Sequence, residues 1–157
     1  MKGHITFDHI GMLVKDVDKT VECLKLLPNA GEFVFHPTEK FQEPGLMVGK
    51  PFAAKGAEGE ICGIKFEVLQ PIPEESVGSY VMERMEKYGE GLHHIDLSFD
   101  SREDFDEYLD ILIKNGGILQ HRDAGECFGL YWGEGVYVDM PAGGLCIALA
   151  YREPLKK

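Results

Sequence analysis

The sequence lacks three features that would assign it to a specialised class of protein. Its four cysteines include no C-x-x-C pair, which argues against a zinc knuckle or a thioredoxin-type redox motif. No apolar run is long enough to cross a bilayer and no signal peptide precedes Phe7, so we expect a cytoplasmic protein. Basic residues are scarce, with 16 Lys and Arg against 27 Asp and Glu. The resulting net charge of −11 disfavours nucleic acid and anionic membranes as partners.

The overall composition of the chain is typical of a globular protein. Hydrophobic residues make up 44% and charged residues 27% of the chain, and 157 residues suffice for one domain or for two small halves that share a core. We also expect a small-molecule substrate as a partner, and a second copy of the chain in a homodimer.

The stretch from Gly89 to Phe99 contains the clearest pattern. Glycines precede it, and from His94 onward polar and apolar residues alternate. His94, Asp96 and Ser98 point to one side, and Ile95, Leu97 and Phe99 point to the other. A period of two predicts a β-strand with one polar and one apolar face. The two imidazoles at its start, His93 and His94, belong either to a functional site or to ordinary hydrogen-bonded histidines.

An internal repeat organises the whole chain. Residues 7–10 correspond to residues 92–95, and residues 64–69 correspond to 145–150, at offsets of 85 and 81 residues. Each half is predicted to run strand, capped helix, glycine stop and three more strands. The sequence therefore predicts an α+β fold in which two tandem βαβββ modules form one cup-shaped mixed β-sheet with flanking helices. Module one spans about residues 5–73, the connector 74–89 and module two 90–151.

Local signals refine these elements. Asp16 is the predicted N-cap of the first helix, and Asp100 or Ser101 caps the helix of the second half. Within the connector, Ser76 followed by Val77, Val81 and Met85 predicts a helix. Residues 38–59 are rich in glycine and proline and predict an irregular segment with one short strand at 46–48. Residues 123–128 are expected to form a loop.

The repeat also brings out a candidate metal site. His9 and His94 occupy equivalent places in the two halves, and Glu67 lies on the last strand of the first half. Two imidazoles and one carboxylate commonly bind Zn, Co, Mn, Ni or Fe, and they leave coordination positions open for water or substrate. The alternative is that both histidines are hydrogen-bonded core residues and that Glu67 is solvated.

Three motifs resemble the vicinal oxygen chelate superfamily, and most closely its glyoxalase and methylmalonyl-CoA epimerase branch. They are residues 7–14 (FDHIGMLV), 66–71 (FEVLQP) and 89–95 (GEGLHHI). The resemblance implies the paired βαβββ fold, a divalent metal ion held by one residue from each of four strands, and a substrate that chelates this ion through neighbouring oxygens. By position it implies the ligands His9, Glu67 and His94, with His93 pointing the other way.

The fourth ligand implied by the resemblance, a glutamate that is also the base, falls on Ala148. A methyl group neither binds a metal ion nor moves a proton. The second base of the epimerases would fall near residues 46–49, where no acid stands. If His94 faces the cup, strand alternation directs Asp96 there too, so Asp96 is the candidate base or the partner of a ligand. An ion pair with Lys or Arg is the alternative role for Asp96. Further candidates are Glu126, Tyr137 and Asp139.

These observations favour a metal-dependent isomerase, epimerase or lyase-type enzyme that acts on a small oxygenated acyl or keto substrate. The ion would stabilise an enediolate, with Asp96 and Glu67 as catalytic carboxylates. One alternative is a protein of the same fold that binds or sequesters a small molecule without catalysis, which the alanine at 148 would permit. A second alternative, a dioxygenase, ranks lowest because its acid normally comes from the final strand.

Overall fold

The computed structural model describes residues 3–42, 44–127, 131–142 and 144–154, without the side chains of residues 126, 127 and 131. Within these ranges the chain forms helices, a short 3₁₀ turn (Pro73–Glu75) and strands. The elements are, in chain order, β1 (Ile5–Leu13), α1 (Val17–Leu24), β2 (Val34–Phe41), β3 (Leu46–Val48), β4 (Phe52–Ile61), β5 (Ile64–Pro71), α2 (Tyr80–Tyr88), β6 (Gly91–Phe99), α3 (Arg102–Lys114), β7 (Ile118–Cys127), β8 (Tyr131–Asp139) and β9 (Cys146–Pro154).

The strands are hydrogen-bonded in the order β2-β4-β5-β1-β6-β9-β8-β7-β3. β1 pairs with β5 in parallel, and β6 pairs with β9 in parallel. The hairpin partners β4/β5, β7/β8 and β8/β9 are antiparallel, so the sheet is mixed. The first strand of each predicted module thus lies parallel to its last strand. This correspondence confirms the α+β class and the duplicated βαβββ organisation.

The chain separates into two compact units. Unit I comprises residues 9–42 and 50–93, and unit II comprises residues 3–8, 44–49 and 94–154 of the described chain. The chain passes from one unit to the other between Asp8 and His9, and again between His93 and His94. His9 is therefore the first residue of a segment of unit I, and His94 is the first residue of a segment of unit II.

Unit I is built around α1. Asp16 caps this helix as predicted, because its Oδ1 accepts a hydrogen bond from the backbone N–H of Lys19 at 3.0 Å. Its apolar side chains lie one turn apart and pack onto β4 and β5. The buried cluster consists of Val14, Val17, Val21, Phe33, Ala57, Ile61 and Val68.

Unit II is built around α3. The Oγ of Ser101 accepts a hydrogen bond from the N–H of Asp104 at 3.3 Å, which identifies Ser101 as the capping residue. The core between this helix and its strands consists of Phe99, Phe105, Leu109, Val136, Val138 and Leu149. No helix in the described part of the chain combines the length and the apolar character needed to cross a membrane.

A buried carboxylate lies beside the core of unit II. The side chain of Glu134 on β8 is 4% exposed and forms ion pairs with Arg102 of α3 and Arg122 of β7. Arg122 Nε donates to Glu134 Oε1 at 2.7 Å. The hydrogen bond from Arg102 to Glu134 raises the pKa of the Arg102 guanidinium, and this favours the charged form. These contacts connect the start of α3 to two strands.

Two sequence expectations about irregular segments were wrong. Residues 52–61 form the ten-residue strand β4, although the segment is rich in alanine and glycine. Gly59 is required there, because a Cβ at this position would lie 2.5 Å from Cγ of Phe33. Residues 123–127, expected to be a loop, continue strand β7, while residue 128 lies outside the described residues. The predicted connector helix is present as α2, but it begins at Tyr80 rather than at Ser76 or Val77.

Candidate metal centre

Unit I contributes an imidazole and a carboxylate. His9 on β1 is buried, and its Nε2 lies 3.3 Å from Oε2 of Glu67 on the neighbouring strand β5. The parallel register pairs Gly11 with Glu67, which brings the two strands together at this point. Two atoms that each lie about 2.0 Å from one tetrahedral zinc ion are about 3.3 Å apart. The separation of this pair therefore fits two ligands of one ion, and it also fits an ion pair with a protonated imidazole.

Unit II contributes the alternating residues of β6. His94 and Asp96 are buried, at 3% and 7% exposure, whereas Ile95 between them is 37% exposed. Ser98 Oγ, the next residue on the polar face, donates to Asp8 Oδ2 at 3.0 Å. The predicted alternation of this strand is therefore present, and it places the carboxylate of Asp96 on the same face as the imidazole of His94.

Asp96 begins a row of residues that crosses four strands. It stands directly opposite Ala148 of β9. Ala148 in turn stands opposite Tyr137 of β8, and Tyr137 opposite His121 of β7. Residues in register on adjacent strands share a face, with their strands about 4.8 Å apart. Asp96 is thus the side chain on β6 beside the position where the resemblance implied a glutamate.

Three rings meet on the same face. The ring centroids of His94 and Tyr137 are 5.0 Å apart, and those of Tyr137 and His121 are 5.9 Å apart. His121 is 2% exposed, and its Nε2 lies 3.1 Å from Oδ1 of Asp123. Sequence reasoning missed His121 and Asp123, because it assigned Asp123 to a loop. Their spacing of two residues would have indicated a shared strand face.

His93, the other histidine of the pair, packs in unit I against α2. Its Nε2 lies 3.3 Å from the hydroxyl oxygen of Tyr80. Burial and, to a smaller extent, the nearby positive charge of Arg84 lower the pKa of His93 to about 3. His93 is therefore neutral at physiological pH and belongs to the packing of α2.

Two acidic candidates remain, Asp139 and Glu126, and Asp139 lies in the same cross-strand row as His94. Asp139 ends β8 opposite Cys146 of β9 and is half-buried. The side chain of Glu126 lies outside the described residues. A separate cavity of about 610 Å³ in unit I contains none of the predicted metal ligands; its lining includes Val14, Lys15, Gln70, Met82 and Met85.

The sequence matches no family model and no curated protein. Among solved structures, a hypothetical protein from Bacillus halodurans has a TM-score of 0.58 and 22% identity, over 98% of this chain and 98% of that chain. Methylmalonyl-CoA epimerase from Mycobacterium tuberculosis has a TM-score of 0.57 and 18% identity, over 94% and 88% of the two chains. A variant of 4-hydroxymandelate synthase from Streptomyces coelicolor has a TM-score of 0.59 and 13% identity, over 98% of this chain and 50% of that chain. These similarities establish the fold of the chain, which is the fold that the resemblance implied.

Proposed function

We propose that this chain is a metal-dependent enzyme of the isomerase, epimerase or lyase type, acting on a small oxygenated acyl or keto substrate. The proposed metal ligands are His9, Glu67, His94 and Asp96. The observation that carries the proposal is the buried carboxylate of Asp96 opposite Ala148. It would supply from β6 the acid that the final strand lacks.

The chemistry of the donor atoms supports a metal site. Each unit offers donors of suitable chemistry, His9 with Glu67 in unit I and His94 with Asp96 in unit II. Glu67 is within 3.3 Å of His9 and adds a second carboxylate. Two imidazole nitrogens and two carboxylate oxygens suit Zn, Mn, Co, Ni or Fe(II), so the donor set fits a divalent ion without selecting one.

The proposed reaction begins with proton removal from the carbon next to a carbonyl. A divalent ion at this site supplies Lewis-acid polarisation of two neighbouring substrate oxygens. Asp96 accepts the proton, and the electron pair of the broken C–H bond moves into the adjacent carbonyl. Delivery of a proton from water to the opposite face would give the epimer, and return of the proton from Asp96 to the neighbouring atom would give the isomer. Glu67 and His9 would remain ligands of the ion throughout.

A binding protein without catalysis is the second candidate, and the observation that favours it is Ala148. If Asp96 serves only as a ligand, the site has lost its base. Such a protein would bind a metal ion and an oxygen-bearing ligand, and it would leave the proton of the ligand in place.

Two measurements test the proposal on protein purified without chelator. Metal content and the Kd for Zn²⁺, Mn²⁺ and Co²⁺ are measured for the wild type, for Asp96→Asn and for Glu67→Gln. Exchange of the carbon-bound proton in D2O is then followed by NMR with methylmalonyl-CoA and a series of 2-keto and 2-hydroxy acids. The control is Glu32→Gln, which removes an exposed carboxylate that pairs with Lys25 at 3.5 Å on the surface of unit I.

We expect micromolar or tighter metal binding that both ligand variants weaken and the control preserves, and proton exchange that requires Asp96. Metal binding without exchange of any of these compounds favours the binding protein. A wild type that takes up none of the three ions overturns the metal proposal.

A further inference from the structure

The ring of Tyr137 occupies the side of His94 that a final-strand glutamate would otherwise occupy. We propose that Tyr137 is a positioning residue, which holds the imidazole of His94 in the orientation needed for metal binding. This inference rests on the proposed metal function. It also explains why position 148 is an alanine, because this small side chain makes the contact between the rings of His94 and Tyr137 possible.

The rings of His94 and Tyr137 are closer together than the spacing of their strands predicts. His94 lies on β6 and Tyr137 on β8, and β9 runs between these two strands. Side chains that project straight up from strands two positions apart are about 10 Å apart. The ring centroids of His94 and Tyr137 are nevertheless only 5.0 Å apart, with a tilt of 47° between the planes. The two rings therefore lean toward each other over β9.

The residues of β9 beneath the rings allow this approach. His94 stands opposite Cys146, and Tyr137 stands opposite Ala148. Both β9 residues are small, and both are buried, at 0% and 2% exposure. A glutamate at position 148 would extend further from the same Cβ, into the space between the two rings. The aromatic contact and a ligand on the final strand thus compete for one volume.

A second layer limits the movement of Tyr137. On the side away from His94, its ring faces His121, with centroids 5.9 Å apart and a tilt of 36°. His121 is fully buried, and its Nε2 lies 3.1 Å from Oδ1 of Asp123. Tyr137 is therefore packed between two imidazoles. It resists rotation away from His94 because the His121–Asp123 pair lies behind it.

A fixed imidazole binds a metal ion better than a mobile one. The lone pair of a ligating nitrogen lies in the ring plane, so rotation of the ring moves it off the ion. Contacts that hold a ligand in its binding orientation lower the entropy lost on binding, and removal of such partners typically costs a factor of about 10 to 100 in metal affinity. The contact between Tyr137 and His94 brings ring against ring, and the proposal assigns the positioning to the ring rather than to the tyrosine hydroxyl.

The test uses Co²⁺ as the probe, with the full chain. The Kd and the visible absorption spectrum of the Co²⁺ complex are measured for the wild type, Tyr137→Phe and Tyr137→Ala. Tyr137→Phe keeps the ring and is expected to leave the Kd within about twofold. Tyr137→Ala is expected to raise the Kd by roughly 10 to 100-fold and to change the spectrum, because His94 becomes mobile. The control is Tyr108→Ala, which removes another ring contact of unit II, with Phe99 at 5.5 Å.

Thermal unfolding of each metal-free variant separates positioning from folding. Tyr108→Ala and Tyr137→Ala are both expected to lower the Tm, but only Tyr137→Ala alters the Co²⁺ spectrum. If Tyr137→Ala binds Co²⁺ with the Kd and spectrum of the wild type, the positioning role is overturned and the metal site stands. If Tyr137→Phe is as impaired as Tyr137→Ala, the hydroxyl is responsible and the ring-contact proposal is overturned. A wild type that binds no Co²⁺ overturns both proposals.

Discussion

The Nε2 atom of His93 lies 3.3 Å from the hydroxyl oxygen of Tyr80, in a buried contact between β6 and α2 of unit I. The imidazole is neutral there, because burial and then the charge of Arg84 lower its pKa to about 3. In the unfolded chain the same group titrates near its ordinary value of 6.5. This difference makes the stability of unit I dependent on pH.

The free energy of unfolding is predicted to fall as the pH drops below 6.5. The unfolded state binds a proton there and the folded state does not, so the contribution of a neutral His93 is complete above about pH 6.5 and decreases down to about pH 3. The slope is about 1.4 kcal/mol per pH unit, which gives a loss of about 2 kcal/mol at pH 5. Urea unfolding at pH 5 and pH 7 measures it. His93→Gln should remove this part of the pH dependence, whereas His4→Gln, at an exposed position, should not. Equal pH dependence in the wild type and His93→Gln would contradict the assignment.

Removal of the buried charge of Glu134 is predicted to destabilise the fold. Glu134→Gln leaves Arg102 and Arg122 without their shared anion, but both arginines can partly reach solvent. We therefore expect a loss of about 2 kcal/mol in the free energy of unfolding, which is less than for a fully buried pair. Asp106→Asn is the matched control, because Asp106 binds the same Arg102 at 3.0 Å from an exposed position. Its loss should stay below about 0.5 kcal/mol. Equal losses in the free energy of unfolding for the two variants, measured with urea, would show that the burial of Glu134 does not strengthen its contribution to stability.

Gly59→Ala is predicted to destabilise strand β4. The added methyl group would meet the ring of Phe33 at 2.5 Å from Cγ, and Phe33 belongs to the core of unit I. Displacement of this ring should cost about 1 to 3 kcal/mol. Gly125→Ala in strand β7 is the control, since a Cβ there has nothing within 4 Å. Differential scanning calorimetry of both variants tests this: a Tm for Gly59→Ala as high as that of Gly125→Ala would mean that Phe33 moves freely.

Ala148→Glu is predicted to weaken metal binding, even though it restores the residue implied by the resemblance. The new side chain would enter the volume that the rings of His94 and Tyr137 share. In the double variant Ala148→Glu with Tyr137→Ala, this volume is free for the glutamate. We expect the double variant to bind Co²⁺ more tightly than either single variant, by about tenfold, which is a strong departure from additivity. Isothermal titration calorimetry of the wild type, the two single variants and the double variant measures the Kd for Co²⁺. Additive changes in the binding free energy would show that position 148 and Tyr137 act independently.

The strands and helices with strong local signals could be predicted from the sequence. The alternation after Gly91 predicted β6, and Asp16 and Ser101 capped the helices where the sequence indicated. Strand alternation also brought Asp96 onto the face of His94. These predictions depend on contacts within a few residues, for which local chemistry is decisive.

The features that escaped prediction depend on distant partners. Strand β4 contains alanines and glycines that disfavour a strand, and it forms because β2 and β5 pair with it on both sides. Asp96 stands opposite Ala148 because of the register in which β6 pairs with β9. This register could not be predicted from a single sequence, since the two strands are far apart in the chain. His121 was missed because its partner Asp123 was assigned to a loop, and residue 123 lies on a strand because it pairs with β8 and with β3.

Strand β3 has a consequence for how the chain can be divided. It is encoded between β2 and β4, yet Leu46 pairs with Asp123 of β7, and it belongs to unit II. A cut in the segment before β6 would leave the carboxyl-terminal fragment with an unprotected sheet edge, and the amino-terminal fragment with a strand that has no neighbour. Two such fragments should reassemble when mixed but remain aggregation-prone when expressed alone. If the halves arose by gene duplication, a single ancestral half would have met the same need by exchanging this strand with a second copy.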